Sequence, residues 1–181
     1  FFMKPIFTNN FYSKFQAPNK EQLLETCINS KLHADQKFSW GDQCLLKKER
    51  LDTQELSNVL IAPLKQFLQE MKIDYDVAVH DVWKNTYEKG NFQEIHYHPN
   101  HDLTAVVFLD DHDDNFGMFY FYNRNGIEVS EKWTRVINSF TYYIQGNAGD
   151  VLFFPSHMLH GVTPHLSDKE RRTVSFNLNF V

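Results

Sequence analysis

Residues 149–160 read GDVLFFPSHMLH, which combines a turn, an apolar run and a histidine. The Gly-Asp pair is a turn signal, and the apolar run at 151–154 is typical of a buried strand. His160 follows just past the end of that predicted strand. The stretch therefore predicts a buried strand that delivers a histidine where the strand ends.

Further apolar and aromatic runs, separated by turn residues, fill the rest of the second half. Together with the run at 151–154, they predict strands at 75–83, 103–109, 117–122, 140–144 and 173–181. Because no helical pattern lies between these runs, they predict an antiparallel sandwich or barrel. We therefore expect a mainly β protein.

The first 75 residues have helical periodicity instead. Asn19 is the predicted N-cap of a first helix, and Leu23, Leu24, Cys27 and Ile28 share one face of that helix. An apolar stripe predicts a second helix from Thr53 to Met71, in which Pro63 predicts a kink or a break. We expect one domain over residues 1–181, with a mainly helical flanking region at 1–75 and a β core at 76–181.

Composition restricts the classes of partner. A net charge of −5 and a pI near 6.0 argue against broad electrostatic binding to nucleic acid. The chain has no apolar run long enough for a membrane span and no visible signal peptide. Its two cysteines, Cys27 and Cys44, form no CxxC pair, which predicts reduced thiols in a cytoplasmic protein.

Histidines cluster in two short windows of the second half. His96 and His98 are two residues apart, so on an extended segment both imidazoles project from the same face. Imidazole suits iron, copper, nickel and zinc, so this pair alone does not select a metal. With His160 at the end of its own strand, the set predicts a metal site in a β domain. The other loop histidines, His101, His112 and His165, are expected to be solvated.

The last predicted strand alternates in an unusual way. One face carries Arg171, Thr173, Ser175 and Asn177, and the other carries Arg172, Val174, Phe176 and Leu178. A polar row on one face is expected where the strand lines a polar pocket. There an arginine with a neighbouring hydroxyl binds a carboxylate. The alternative is a surface salt bridge at the start of an edge strand.

At this point residues 80–181 resemble the 2-oxoglutarate- and iron(II)-dependent oxygenases. They look most like a bacterial and phage subgroup with a His-x-His-Pro motif. The resemblance rests on Trp83, Asn85, Gly90, 96–100, 103–109, 149–156, His160 and 171–177. It implies a double-stranded β-helix, the jelly-roll or cupin-like fold, with flanking N-terminal helices. It also implies His96 and His160 as iron ligands, and Arg171, assisted by Thr173, as the partner of the distal carboxylate of 2-oxoglutarate.

The third ligand departs from the pattern that this resemblance implies. The usual motif is His-x-Asp or His-x-Glu, and His98 occupies the acidic position. His98 could itself be the ligand, Asp102 could replace it, or two histidines could suffice with water. We favour His98, because the two-residue spacing puts it where the carboxylate would be. A neutral imidazole there leaves the iron centre one unit more positive.

The resemblance implies an oxygenase that takes iron(II), 2-oxoglutarate and dioxygen. It would hydroxylate a C–H bond of a peptidyl, for example prolyl, or small-molecule substrate and release succinate and carbon dioxide. A cupin-type metal protein is a competing interpretation, with His96, His98, Asp102 and His160 as four ligands and no 2-oxoglutarate. Arg171 favours the oxygenase, since the cupin site has no need of it. A non-enzymatic module with a structural metal is the third interpretation, although such sites often include cysteine.

Overall fold

A computed structural model describes residues 9–37, 44, 46–123, 132 and 140–181. The described elements are β1 (Ser13–Gln16), α1 (Lys20–Asn29), β2 (Lys47–Arg50), α2 (Thr53–Met71), β3 (Val77–Tyr87), β4 (Gln93–His96), β5 (Leu103–Phe108), β6 (Phe119–Tyr122), β7 (Thr141–Ile144), β8 (Asp150–Pro155), β9 (His160–Val162) and β10 (Arg171–Phe180). Neither helix of this described part is long and apolar enough to cross a membrane.

The strands form two antiparallel sheets. The larger has the order β1-β8-β5-β10-β3-β2, and the smaller has the order β4-β9-β6-β7. An apolar cluster joins them, and its members include Val106, Phe108, Leu152 and Phe154 from the larger sheet and Phe119, Phe121, Ile144 and Val162 from the smaller. The protein is therefore mainly β, with the two-sheet arrangement of a double-stranded β-helix.

Strand alternation divides the larger sheet between two cores. In β8, Leu152 and Phe154 face the smaller sheet, whereas Val151 and Phe153 pack under the helices. The ring of Phe153 stacks on Phe67 of α2 with centroids 4.7 Å apart. Burying each such phenylalanine stabilises the fold by about 1.5–3 kcal/mol. The apolar stripe predicted in residues 53–71 thus packs on one face of the larger sheet.

Each of the six predicted strands overlaps a strand of the structure. The flanking region contains two strands besides its two helices, because β1 and β2 join the larger sheet. β1 pairs with β8 at one edge and β2 with β3 at the other. Both are only four residues long, so their alternation was too short to identify in the sequence. Residues 1–8 of the flanking region lie outside the described residues.

Pro63 does not break the second helix. α2 runs from Thr53 to Met71 without interruption, with Pro63 inside it. Proline has no N–H, so the carbonyl of Val59 four residues earlier loses its helical partner. The side-chain Nδ2 of Asn19 donates to that carbonyl oxygen at 2.9 Å. Asn19 does occupy the N-cap position of α1, but its side chain makes no capping hydrogen bond. The side chain of Asn19 instead provides the hydrogen bond that Pro63 cannot donate within α2.

Candidate metal centre and adjoining pocket

The structure brings His96, His98 and His160 together. One ring nitrogen of each lies within 4.8 Å of the others. His96 is the last residue of β4 and the Cα partner of His160, the first residue of β9. His98 lies two residues beyond β4, where its backbone N–H donates to the carbonyl oxygen of Ser156 at 2.9 Å. The pairing of β4 with β9 and the hydrogen bond between His98 and Ser156 therefore bring the three imidazoles close together.

Each of the three rings has a carbonyl-type oxygen at Nδ1. The partners are Glu94 O at 2.9 Å for His96, Asn177 Oδ1 at 2.7 Å for His98, and Met158 O at 2.8 Å for His160. Because such oxygens only accept, Nδ1 of each ring carries the proton. Nε2 then holds the lone pair, which is the form in which a histidine coordinates a metal.

The electrostatic surroundings favour the neutral form of two of these rings, His98 and His160. Burial and the neighbouring His96 lower the pKa of His98 to about 3. Burial, followed by His96 and His98, lowers the pKa of His160 well below its ordinary value. A metal must compete with protons for a histidine, so these two rings, which are already neutral, bind it without proton release. A set of three imidazole ligands suits a first-row divalent cation.

Asp102, the alternative third or fourth ligand, lies elsewhere. Its residue is exposed, and its Oδ2 accepts a hydrogen bond from the backbone N–H of Phe180 at 3.0 Å. The described part of the chain holds one cluster with metal-ligand geometry, and Asp102 is not in it. The carboxylate instead secures the loop before β5 to the end of β10.

The expectation that the loop histidines are solvated is wrong for His165. This residue is fully buried, with its Nε2 bonded to Lys169 O at 2.7 Å and its Nδ1 accepting from the backbone N–H of Gly117 at 3.2 Å. Both ring nitrogens are therefore used in holding loops together. His101 and His112 are partly exposed. Tertiary packing decides the difference, because the sequence predicts a loop for all three.

A cavity of about 390 Å³ opens beside the three histidines. That volume is within the range of small-ligand pockets. Its wall includes the four residues predicted to share one face of the last strand, which are Arg171, Thr173, Ser175 and Asn177. The opposite face of β10 packs Val174, Phe176 and Leu178 into the helix-covered core. The predicted alternation is thus confirmed, and β10 is a central strand between β5 and β3.

Arg171 and Arg172 have different surroundings. Arg172 binds Asp110 with two nitrogens, Nη2 to Oδ1 at 2.7 Å and Nε to Oδ2 at 3.2 Å. Arg171 is buried in the cavity wall, with its Cζ 5.0 Å from the Tyr87 ring centroid and 5.7 Å from that of Phe108. Burial lowers the pKa of Arg171, although Tyr87 opposes the shift. Its Nη1 is buried and has no hydrogen-bond partner among the described residues.

An amide on the neighbouring strand orients two hydroxyls of the wall. Nδ2 of Asn85 lies 3.4 Å from Thr173 Oγ1 and 3.2 Å from Ser175 Oγ, and it donates to both. Both hydroxyl protons are therefore free to turn away from Asn85. The sequence analysis predicted neither this role nor the contact of Tyr87 with Arg171. The signal that could have indicated both is the alternation of β3, where residues 83, 85 and 87 line the cavity.

Solved structures share this fold at low sequence identity. The viral collagen prolyl hydroxylase of Paramecium Bursaria Chlorella virus-1, in complex with 2OG, is 14% identical with a TM-score of 0.60, covering 92% of this chain and 94% of its own. HygX from Streptomyces hygroscopicus, with nickel, 2-oxoglutarate and hygromycin B bound, is 10% identical with a TM-score of 0.62. The match covers 94% of this chain and 83% of HygX. A Pseudomonas putida prolyl-4-hydroxylase is 13% identical with a TM-score of 0.59, and the match covers 93% of this chain and 91% of the hydroxylase. At these identities the likeness shows the fold.

The iron(II)- and 2-oxoglutarate-dependent oxygenases are the class that the family comparison identifies. A family model described as putative 2OG-Fe(II) oxygenase matches residues 81–177, more than half of the chain. The chain belongs to this family and is a 2-oxoglutarate-dependent oxygenase that uses iron(II). The match favours the oxygenase over both the cupin-type protein and the binding module. No curated protein matches the chain.

Proposed function

We propose that His96, His98 and His160 bind one iron(II) ion and that Arg171 binds the distal carboxylate of 2-oxoglutarate in an enzyme that hydroxylates a C–H bond. One observation carries the proposal. The cavity that contains the three histidines also contains a buried guanidinium whose Nη1 has no hydrogen-bond partner among the described residues. A buried, incompletely paired cation is costly, so its site is built for an anion.

The metal ligands fit iron(II) in number and in type. Three protein ligands leave coordination positions open, as a catalytic metal requires for its substrates. His98 supplies the third position in place of the usual carboxylate, and the distant contact of Asp102 with Phe180 supports this assignment. With three neutral ligands the centre keeps the full charge of the metal. That charge favours an anionic chelator such as the 1-carboxylate and 2-oxo group of 2-oxoglutarate.

The wall of the cavity fits the other end of 2-oxoglutarate. Arg171 offers a planar fork that matches a carboxylate, and Tyr87 and Phe108 hold the fork by packing on it. The hydroxyl of Thr173 accepts from Asn85, so its own proton can point to the same carboxylate. A cupin site would have no use for a buried arginine at this position, and this distinction supports the oxygenase assignment.

The chemistry when iron(II), 2-oxoglutarate and dioxygen are bound is oxidative decarboxylation to succinate and carbon dioxide, with transfer of one oxygen atom to the substrate. The chain positions the reactants and limits the access of water. Val106, Phe119 and Val162 are buried and form the apolar part of the cavity wall. Tyr97, Pro99 and Asn100 line the cavity and are exposed, so they lie where a substrate would enter.

The substrate that we propose is a peptidyl residue, for example proline, or a small molecule. Two of the structurally similar proteins are described as prolyl hydroxylases, and a third was solved with hygromycin B bound. The family assignment is compatible with both classes. An acidic chain makes nucleic acid a less suitable substrate, as expected from its charge of −5.

The test is substrate-stimulated succinate release. Iron(II)-loaded enzyme is given 2-oxoglutarate, dioxygen and panels of proline-containing peptides and small molecules. A substrate should raise succinate release above the basal rate and gain one oxygen atom from isotopically labelled dioxygen, as detected by mass spectrometry. Substrate turnover without incorporation of the label would contradict hydroxylation. It would leave the iron and 2-oxoglutarate assignment intact.

A further inference from the structure

We propose that Asn177 is a positioning residue that fixes the proton of His98 on Nδ1 and so makes His98 a metal ligand. This inference rests on the proposed function, in which His98 coordinates iron. Oδ1 of Asn177 lies 2.7 Å from Nδ1 of His98. The contact is the shortest of the three that hold the ligand rings at Nδ1.

His98 differs from the other two ligands in the origin of its hydrogen-bond acceptor. His96 and His160 each donate to a backbone carbonyl two residues earlier, at Glu94 and Met158. Those contacts follow from the local chain path and survive most side-chain substitutions. Asn177, by contrast, is 79 residues away from His98 and contributes a side chain. The tautomer of His98 therefore depends on one amide of β10.

An imidazole needs such a partner, whereas a carboxylate does not. A carboxylate can coordinate through either oxygen and carries no proton at neutral pH. A neutral imidazole has two tautomers, and only the one with its proton on Nδ1 can coordinate through Nε2. With His98 in place of the usual acidic ligand, the site requires a hydrogen-bond acceptor at Nδ1 of this ring. Asn177 provides that acceptor.

The other neighbour of the ring cannot set the tautomer alone. Oγ1 of Thr104 lies 3.1 Å from Nδ1 of His98 and 2.8 Å from Oγ of Ser156. A hydroxyl can donate or accept, so this contact is compatible with either tautomer. An amide oxygen only accepts. Asn177 is also 4% exposed, so water has little access to replace it.

The choice of an amide at this position also sets the charge of the centre. A carboxylate in place of Asn177 would still accept the Nδ1 proton and would add one negative charge next to the ligand ring. Asn177→Asp should therefore keep the tautomer and lower the Fe(III)/Fe(II) reduction potential. Asn177→Leu should remove the acceptor while retaining a similar side-chain volume.

The experiment measures cobalt(II) binding to the full chain by visible absorption, since cobalt(II) reports its own coordination geometry. The variants are Asn177→Leu, Asn177→Asp and His98→Ala, with Asn179→Leu as the matched control. Asn179 lies on the same strand, and its Oδ1 lies 3.2 Å from Nδ1 of His101, which is not a proposed ligand. Circular dichroism and thermal unfolding check that each variant is folded.

The expected results separate this inference from its premise. Asn177→Leu should weaken cobalt(II) binding by about 10- to 100-fold and change its absorption spectrum. Asn177→Asp should restore both, and Asn179→Leu should match the unsubstituted protein. If His98→Ala binds cobalt(II) with unchanged affinity and spectrum, the ligand set in the proposed function is wrong. If His98→Ala is impaired but Asn177→Leu is normal, or if Asn177→Asp fails to restore the spectrum, the role of Asn177 alone is overturned.

Discussion

His96 and His160 face each other across the pairing of β4 with β9. They are Cα partners in that ladder, and their ring centroids lie 4.3 Å apart. β4 and β9 belong to the smaller sheet, whereas the arginine of the cavity lies on β10 of the larger sheet. Two of the three proposed metal ligands are therefore fixed by one sheet, and the arginine is fixed by the other. The distance between those ligands and the arginine depends on the packing of the two sheets on each other.

The identity of the third ligand is tested by substitution of His98. His98→Ala should weaken iron(II) binding by more than the roughly 10- to 100-fold that loss of an outer-shell contact costs. His98→Asp recreates the usual His-x-Asp motif and should retain iron(II). Binding is measured anaerobically by competition with a chromogenic chelator, with His101→Ala as a control. Normal binding by His98→Ala together with loss in Asp102→Ala would identify Asp102 as the ligand.

The two adjacent arginines should behave differently. Arg171→Ala should weaken 2-oxoglutarate binding by about 2–5 kcal/mol, which is more than about 30-fold in Kd, and leave iron binding nearly unchanged. Arg172→Ala loses the partly exposed contact with Asp110, and should cost at most about 1 kcal/mol of unfolding free energy. Calorimetric titration of 2-oxoglutarate into the metal-loaded variants measures its binding to both, and urea unfolding measures the stability of Arg172→Ala. The opposite pattern would mean that the wrong face of β10 has been assigned to the cosubstrate.

The contact of Asn19 with α2 should be visible in a double-mutant cycle. Asn19→Ala leaves the carbonyl of Val59 without its donor and should cost about 1 kcal/mol of unfolding free energy. In a Pro63→Ala background the new backbone N–H can bond to Val59, so Asn19→Ala should cost less there. Urea unfolding of the four proteins gives the coupling energy. Equal costs in both backgrounds would show that Asn19 does not compensate for the proline.

Cys27 should make the fold sensitive to alkaline pH. Burial raises the pKa of this thiol from 9.0 to about 12. Its neutral form is therefore favoured in the folded state, so its contribution is complete below pH 9 and is lost as pH rises toward 12. The stability difference between the unsubstituted protein and Cys27→Ala should fall by about 2 kcal/mol from about pH 8 to about pH 10.5. Denaturant unfolding measures it, and a pH-independent difference would contradict the raised pKa.

Much of the architecture could be predicted because it depends on local alternation. The polar row of β10 is an example, since residues 171, 173, 175 and 177 face the cavity as their spacing requires. The apolar stripe of α2 is another. In both elements the periodicity persists over ten or more residues, so a single residue that departs from the pattern does not obscure the prediction.

What could not be predicted depends on contacts between distant segments. Pro63 is compatible with an unbroken helix only because Asn19 reaches Val59. His165 is buried because two loops close on it, which its position in a predicted loop did not indicate. The contact of Asn177 with His98 joins two segments that no pattern relates. Such partners emerge only when the strands are placed in register.

The most direct test of the central claim is an anaerobic titration of the purified chain, first with iron(II) and then with 2-oxoglutarate. Chelation of a 2-oxo acid to iron(II) produces a visible charge-transfer absorption. The account predicts one iron(II) and one 2-oxoglutarate per chain, with the absorption lost in Arg171→Ala at the same concentration of 2-oxoglutarate. Full iron(II) occupancy without any 2-oxoglutarate binding would contradict it.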